Sequence, residues 1–134
     1  MSDKKGTFYG YANIFNHKDY YNDIILPTAF SKTLKKTFIK NIPFLFQHKQ
    51  EYKIGNFDLI KEDETGLYVK GYVDTNNVLY DCIKNNQISG LSIGYIVKNC
   101  YFEKGNRIIT ELDLKEISLV GNPANNVSVI QCCK

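Results

Sequence analysis

Alternation with a period of two constrains this chain more than any other pattern in it. The pattern is clearest from Gly66 to Val73, where Leu67, Val69 and Val73 fall on one side and Tyr68, Lys70 and Tyr72 on the other. The acidic turn Glu62-Asp63-Glu64-Thr65-Gly66 before it reads as a hairpin connection. Thr7 to Phe15 alternates too, with Phe8, Ala12 and Ile14 available for one face. Further strands are expected at Pro43 to Gln47, Tyr52 to Ile60 and Ile88 to Asn99. After a turn at Glu103 to Asn106 comes a long, bending strand from Arg107 to Val120. Ile24-Ile25-Leu26 is a short apolar run ended by Pro27.

Two segments have helical spacing instead. From Thr28 to Phe38, Phe30, Leu34 and Phe38 recur at four-residue steps, and Pro27 and Thr28 suit a helix entry. Asn76 to Asn86 places Leu79, Cys82 and Ile83 on one side and ends at Asn85-Asn86. The expected fold is mainly β with helices (α+β): a small, mostly antiparallel β-barrel with two packed helices. A length of 134 residues suits one domain over 1–134, with 1–6 and 130–134 expected to fray. There are no repeats, linkers or low-complexity segments.

Composition removes several function classes. The chain is 43% hydrophobic and 13% aromatic, a globular composition. Its net charge is only +3, and Lys4-Lys5 and Lys35-Lys36 are the only basic doublets, so nucleic acid is not an expected partner. No apolar run is long enough to span a membrane. Met1-Ser2-Asp3-Lys4-Lys5 leads straight into Gly6 and a strand pattern, which points to a cytosolic protein without a signal peptide. Cys82, Cys100, Cys132 and Cys133 have no framework spacing and read as free thiols, the last two in a frayed tail. Two His and four Cys show no metal-ligand spacing, and no cofactor is expected.

Three strand-like segments each carry a reactive polar side chain. His48 follows Phe44 and Phe46 at a step of two, which places it at the edge of their apolar face, where a general base is partly desolvated yet reachable. The bland alternative is a surface His at a strand end. Ser92 lies midway between Gly90 and Gly94. This has the glycine spacing of a nucleophile elbow, but Tyr95 to Lys98 continues as strand, not helix. The alternative is a small residue in a tightly packed strand, and Ser89 is the competing hydroxyl. Glu116 continues the apolar row Leu112, Leu114, where a carboxylate is expensive unless paired. Orienting a His is one such pairing, and a bulge at Lys115-Glu116 that returns Glu116 to solvent is the alternative. Glu111 and Asp113 read as solvated charges, as does His17. A Cys hydrolase using Cys82 or Cys100 lacks any surrounding motif.

Six pieces in order resemble the prohead protease family of tailed bacteriophages, over roughly Phe8 to Val129. They are Gly10-Tyr11-Ala12-Asn13-Ile14-Phe15 with Asp23 to Phe30; Pro43-Phe44-Leu45-Phe46-Gln47-His48; Ile54-Gly55; Gly66 to Gly71; Ile88 to Tyr95; and Leu114 to Asn125. The resemblance implies a fold related to the herpesvirus assembly proteases. It also implies a serine endopeptidase with Ser92 as nucleophile, His48 as base and Glu116 as acidic third member, with no cofactor. The implied substrates are phage scaffold and major capsid protein, cut inside the assembling prohead in the bacterial cytoplasm. A homodimer or capsid-enclosed assembly is implied as well. His48 and Ser92 are then expected on adjacent strands within hydrogen-bond reach. Asn22 and Thr28 stand where the family often has Gly. The chain ends soon after the last piece, which leaves open an isolated protease domain or a naturally short one. The rival expectation is a non-enzymatic β-barrel module for capsid assembly, in which the three side chains do not converge.

Overall fold

The computed structural model describes residues 5–125 and 127–134. Among them are eight strands: β1 (Thr7–Ile14), β2 (Asp23–Ile25), β3 (Phe44–Phe46), β4 (Lys49–Glu62), β5 (Gly66–Val73), β6 (Gly90–Glu103), β7 (Asn106–Val120) and β8 (Ile130–Cys133). The helices are α1 (Ser31–Lys36) and α2 (Val78–Lys84), with a 3₁₀ turn at Ile39–Asn41.

Strand β7 organises the sheet. β6 runs antiparallel along its whole length, from Gly90↔Val120 to Glu103↔Asn106. β2 and β3 run parallel to different stretches of it, at Arg107–Ile109 and Ile117–Leu119. From β3 the order continues through β4, β5, β1 and β8. The sheet curls but stays open, which corrects the expected barrel. Four-residue β8 is too short to seal the gap, so the two ends meet at the single bridge Gly90↔Val129 and two flanking backbone bonds, Leu91 N–H to Ser128 O and Ile130 N–H to Ser89 O.

The inner face holds the core. Phe8, Phe44 and Phe57 pack tilted and edge to face with ring centroids 5.0 to 6.0 Å apart, and Leu67, Val69, Ile117 and Leu119 are fully buried in the same core. β5 buries Leu67, Val69 and Val73 as its alternation predicts. β1 does so only as far as Ala12. A bulge between Tyr11 and Asn13 then shifts the register, so Phe15 enters the core and Ile14 stays half-buried.

The helices are shorter than their periodicity suggests. α1 stops at Lys36, and Thr37 is extended, so Phe38 leaves the expected stripe and is 74% exposed. α2 begins where Asn77 accepts the Leu79 N–H on its side-chain oxygen at 2.9 Å, an N-cap that shortens the expected start. Residues 130–134, expected to fray, are paired in the structure. Cys133 and Cys132 pair with Phe8 and Tyr9, and Lys134 N–H donates to Thr7 O. Of the expected frayed N-terminus, residues 1–4 lie outside the described residues, while Gly6 O accepts from Val73 N–H.

Asn22 (φ 63°) and Thr28 (φ 75°) both adopt the left-handed conformation, which explains why glycine suits these positions. Asn tolerates it; a β-branched Thr does not. Thr28 is exposed and its backbone carbonyl accepts Ser31 N–H, so its side chain holds little. Relief of roughly 1–3 kcal/mol of strain outweighs the roughly 0.5–1 kcal/mol entropic cost of glycine. Thr28→Gly is therefore expected to raise the thermal midpoint by about 4 °C. A lowered midpoint in a melting experiment would mean that Thr28 is not strained.

Candidate active site

The turn between β3 and β4 has only two residues, Gln47 and His48, with Phe46 paired to Lys49. Both are left-handed, φ 54° and 61°, as the tight primed hairpin turns require, although neither is the Asn or Gly that adopts this conformation cheaply. Three hydrogen bonds pin the turn to β7 and the loop beyond it. Gln47 N–H donates to Leu119 O at 2.9 Å, and Gln47 Oε1 accepts Gly121 N–H at 3.0 Å. His48 N–H donates to Ser118 Oγ at 3.1 Å. The turn ends the alternation, so His48 does not continue the face of Phe44 and Phe46. Its imidazole swings over β7 instead, 43% exposed.

Glu116 reaches the same place through a bulge. Gly94 pairs with Glu116 but Tyr95 with Leu114, so Lys115 is the extra residue. Before the bulge, Leu112 and Leu114 point to the core; after it, Ile117 and Leu119 do. The alternative weighed for such a bulge was that it returns Glu116 to solvent. The bulge exposes Lys115 instead and leaves Glu116 5% exposed on the opposite face from the core, beside Ser118.

Both carboxylate oxygens of Glu116 are satisfied. Oε2 accepts His48 Nδ1–H at 2.5 Å, and Oε1 accepts the Ser118 hydroxyl at 2.7 Å. This pairing is what makes a buried carboxylate tolerable here. The hydrogen bond from Glu116 raises the His48 pKa above its ordinary value; partial burial opposes the rise but does not cancel it. With Nδ1 donating to Glu116, the neutral ring leaves Nε2 as the free base.

Ser92 lies on β6 directly opposite Ser118, and Leu45 of β3 pairs with Ser118 from the other side. β7 therefore separates the His48 and Ser92 strands, which corrects the expectation of adjacent strands. Ser92 is 8% exposed, while its neighbours Leu91 and Ile93 belong to the core, so its side chain points away from the core. His48 and Ser92 line one groove of about 850 Å³ and are not hydrogen-bonded to each other. Gly90 and Gly94 make room for protein atoms: Val120 O and Pro123 at Gly90, the Glu116 carboxylate at Gly94. Ser89 lines a separate cleft with Ile130 and Cys132. Neither Cys82 nor Cys100 lines the groove. Glu111 and Asp113 are not free in solvent but pair with Lys32 and Lys36 at 3.5 and 2.9 Å.

One wall of the groove is built on Asp23, which is 5% exposed. Arg107 donates to both its oxygens at 2.8 and 2.9 Å, and Tyr95 O–H donates to Oδ2 at 3.1 Å. Burial, then the Asp23 charge, push the Tyr95 phenol pKa up. This cluster ties β2 to β7 and β6. Sequence reasoning missed it, and it missed Ser118. The only local signal for Ser118 is a hydroxyl two residues beyond Glu116, hence on the same strand face.

The family described as Caudovirus prohead serine protease matches residues 1–134. The prohead protease of Enterobacteria phage HK97 is 34% identical over 98% of this chain and 61% of its own length. The prohead protease of Escherichia phage T5 is 28% identical over 93% of this chain and 61% of its own length. The chain thus spans about three-fifths of these relatives. Among solved structures, the KSHV protease in complex with a hexapeptide phosphonate inhibitor shares the fold at a TM-score of 0.58 and 12% identity, covering 92% of this chain and 63% of that one. The varicella-zoster virus protease has a TM-score of 0.50 at 17% identity, over 81% of this chain and 56% of that one. With a family match over residues 1–134 and the fold of the herpesvirus proteases, the chain belongs to the caudovirus prohead serine protease family.

Proposed function

We propose that this chain carries the catalytic domain of a phage capsid-maturation protease. It is a serine endopeptidase that cleaves scaffold and capsid-protein segments inside the assembling prohead of the host cell. The observation that carries the reading is the hydrogen-bonded His48–Glu116 pair, whose imidazole lines one groove with Ser92. Packing alone does not call for a bonded His48–Glu116 pair and a Ser92 hydroxyl along the same groove. A non-enzymatic assembly module would have no use for them.

In the proposed mechanism His48 Nε2 takes the Ser92 hydroxyl proton as Oγ attacks a peptide carbonyl, and later gives it to the leaving amine. Glu116 keeps Nδ1 protonated and stabilises the imidazolium as it forms. Backbone amides at the groove bind the oxyanion; the Gly121 amide is already committed to Gln47. Ser92 and His48 come within hydrogen-bond distance when substrate enters, as catalytic contacts often tighten on binding. The acyl-enzyme is then hydrolysed by water through the same base.

The direct test is covalent labelling. A peptide phosphonate ester bearing a good leaving group should phosphonylate one hydroxyl, and mass spectrometry of the digested protein should place the adduct on the peptide containing Ser92. Denaturation beforehand should abolish labelling, because attack needs His48 in place. An adduct at another residue, or equal labelling of native and denatured protein, would overturn the assignment.

A further inference from the structure

Glu116 sits in a small cradle with Gly94 on one side and Ser118 on the other. We propose that Gly94 and Ser118 are positioning residues: together they hold the Glu116 carboxylate in the one orientation from which it can serve His48. This rests on the proposed catalytic reading of that carboxylate.

Two independent features support it. Gly94 faces Glu116 across the β6–β7 pair, and the space of its missing side chain is filled by the carboxylate. A Cβ there would overlap Glu116 Oε2 and lie 2.7 Å from its Cδ and 2.9 Å from its Cγ. Gly94 thus supplies room, and its backbone has no positive φ to explain its presence. Ser118, fully buried, does two things at once. Its O–H donates to Glu116 Oε1, which turns Oε2 toward the imidazole, and its lone pair accepts His48 N–H, which holds the left-handed turn that presents the ring. A single hydroxyl therefore fixes both partners of the His48–Glu116 bond. Such supporting bonds keep a catalytic group within a few tenths of an ångström of its productive position. The hydroxyl is spent on these bonds and buried, so Ser118 is not itself a nucleophile.

Double-mutant kinetics and the titration of His48 test this. Ser118→Ala and Gly94→Ala should each lower kcat roughly 10- to 100-fold with KM little changed, the scale of losing one hydrogen bond to a charged group. Each should lower the His48 midpoint followed by NMR, and move the acid limb of the rate profile to lower pH, because the raising influence of Glu116 is weakened. The decisive readout is non-additivity. Ser118→Ala should cost little more in a Glu116→Gln background, and Gly94→Ala little more beside Glu116→Ala, where the new methyl has room. Full additivity in both pairs, or single variants with wild-type rates and an unmoved His48 midpoint, would overturn the cradle. Should Ser118→Ala fail to fold, Gly94→Ala decides alone, since the clashing atoms end a flexible side chain that can yield without moving backbone. If the wild-type chain cleaves no capsid-protein segment, the protease reading falls, while the His48 midpoints still support or overturn the cradle.

Discussion

Ser92→Ala is expected to abolish cleavage of a cognate scaffold or capsid-protein segment while leaving the protein folded. The loss should be on the order of 10⁶-fold in kcat, as for removal of the nucleophile from other serine triads. Nothing else in the groove can replace it. The Ser118 hydroxyl is closest in register, but it is fully buried and bonded to Glu116. Ser89 opens onto a different cleft. The fold should tolerate the change, because Ala fits wherever Ser does and the backbone pairing Ser92↔Ser118 needs no side chain. The expected stability change is within about 1 kcal/mol. Rates of purified wild type and variant on the same peptide, with circular dichroism to match folded fractions, provide the measurement. Undiminished cleavage by the variant would move the nucleophile elsewhere, with Ser89 the first candidate.

Glu116→Gln should cost the next most. The amide keeps the volume but cannot satisfy both neighbours as the carboxylate does. With its oxygen toward the Ser118 hydroxyl, its NH₂ faces His48 Nδ1 and forces the proton to Nε2, the wrong tautomer for a base. With its oxygen toward His48, the NH₂ faces Ser118, whose hydroxyl proton loses its acceptor. Either way the carboxylate charge that steadies the imidazolium is gone. The analogous Asp→Asn change in a serine triad costs about 10⁴-fold. The second amide orientation keeps a workable tautomer, so a loss of roughly 10²- to 10⁴-fold in kcat is expected here. KM should change little, because Glu116 lies beneath His48 and is 5% exposed. A rate within a few-fold of wild type would remove Glu116 from the catalytic set.

Much of the site was legible because its residues break local rules. Glu116 in an apolar row, Ser92 centred between two glycines, and His48 ending a run of large apolar residues are each visible in one dimension. What could not be read was how each anomaly resolves. The step from Phe44 and Phe46 to His48 suggested a shared face. The structure interrupts it with two left-handed residues, held by bonds to Leu119, Ser118 and Gly121 about 70 positions away. A bulge at Lys115-Glu116 was one alternative, tied to an exposed Glu116; the structure has the bulge and keeps Glu116 buried. Ser118 went unnoticed because Ile117-Ser118-Leu119 looks like any small polar residue in a buried strand.

Strands β1 and β3 to β7, the core face of β5, the two helical segments and the three reactive side chains are legible in one dimension. These depend on side-chain period and backbone preference, which act between near neighbours. Which strand lies beside which, the pairing of Cys132 and Cys133 with β1, the open sheet, and the placing of Ser118 and Gly94 around Glu116 come from contacts between distant segments. The physical reason is that a strand's own alternation is indifferent to its partner. The His48–Glu116 bond, and the groove that His48 shares with Ser92, depend on the register of β3 and β6 against β7 and on one inserted residue. A shift by a single position in either would turn these side chains to the other face of the sheet.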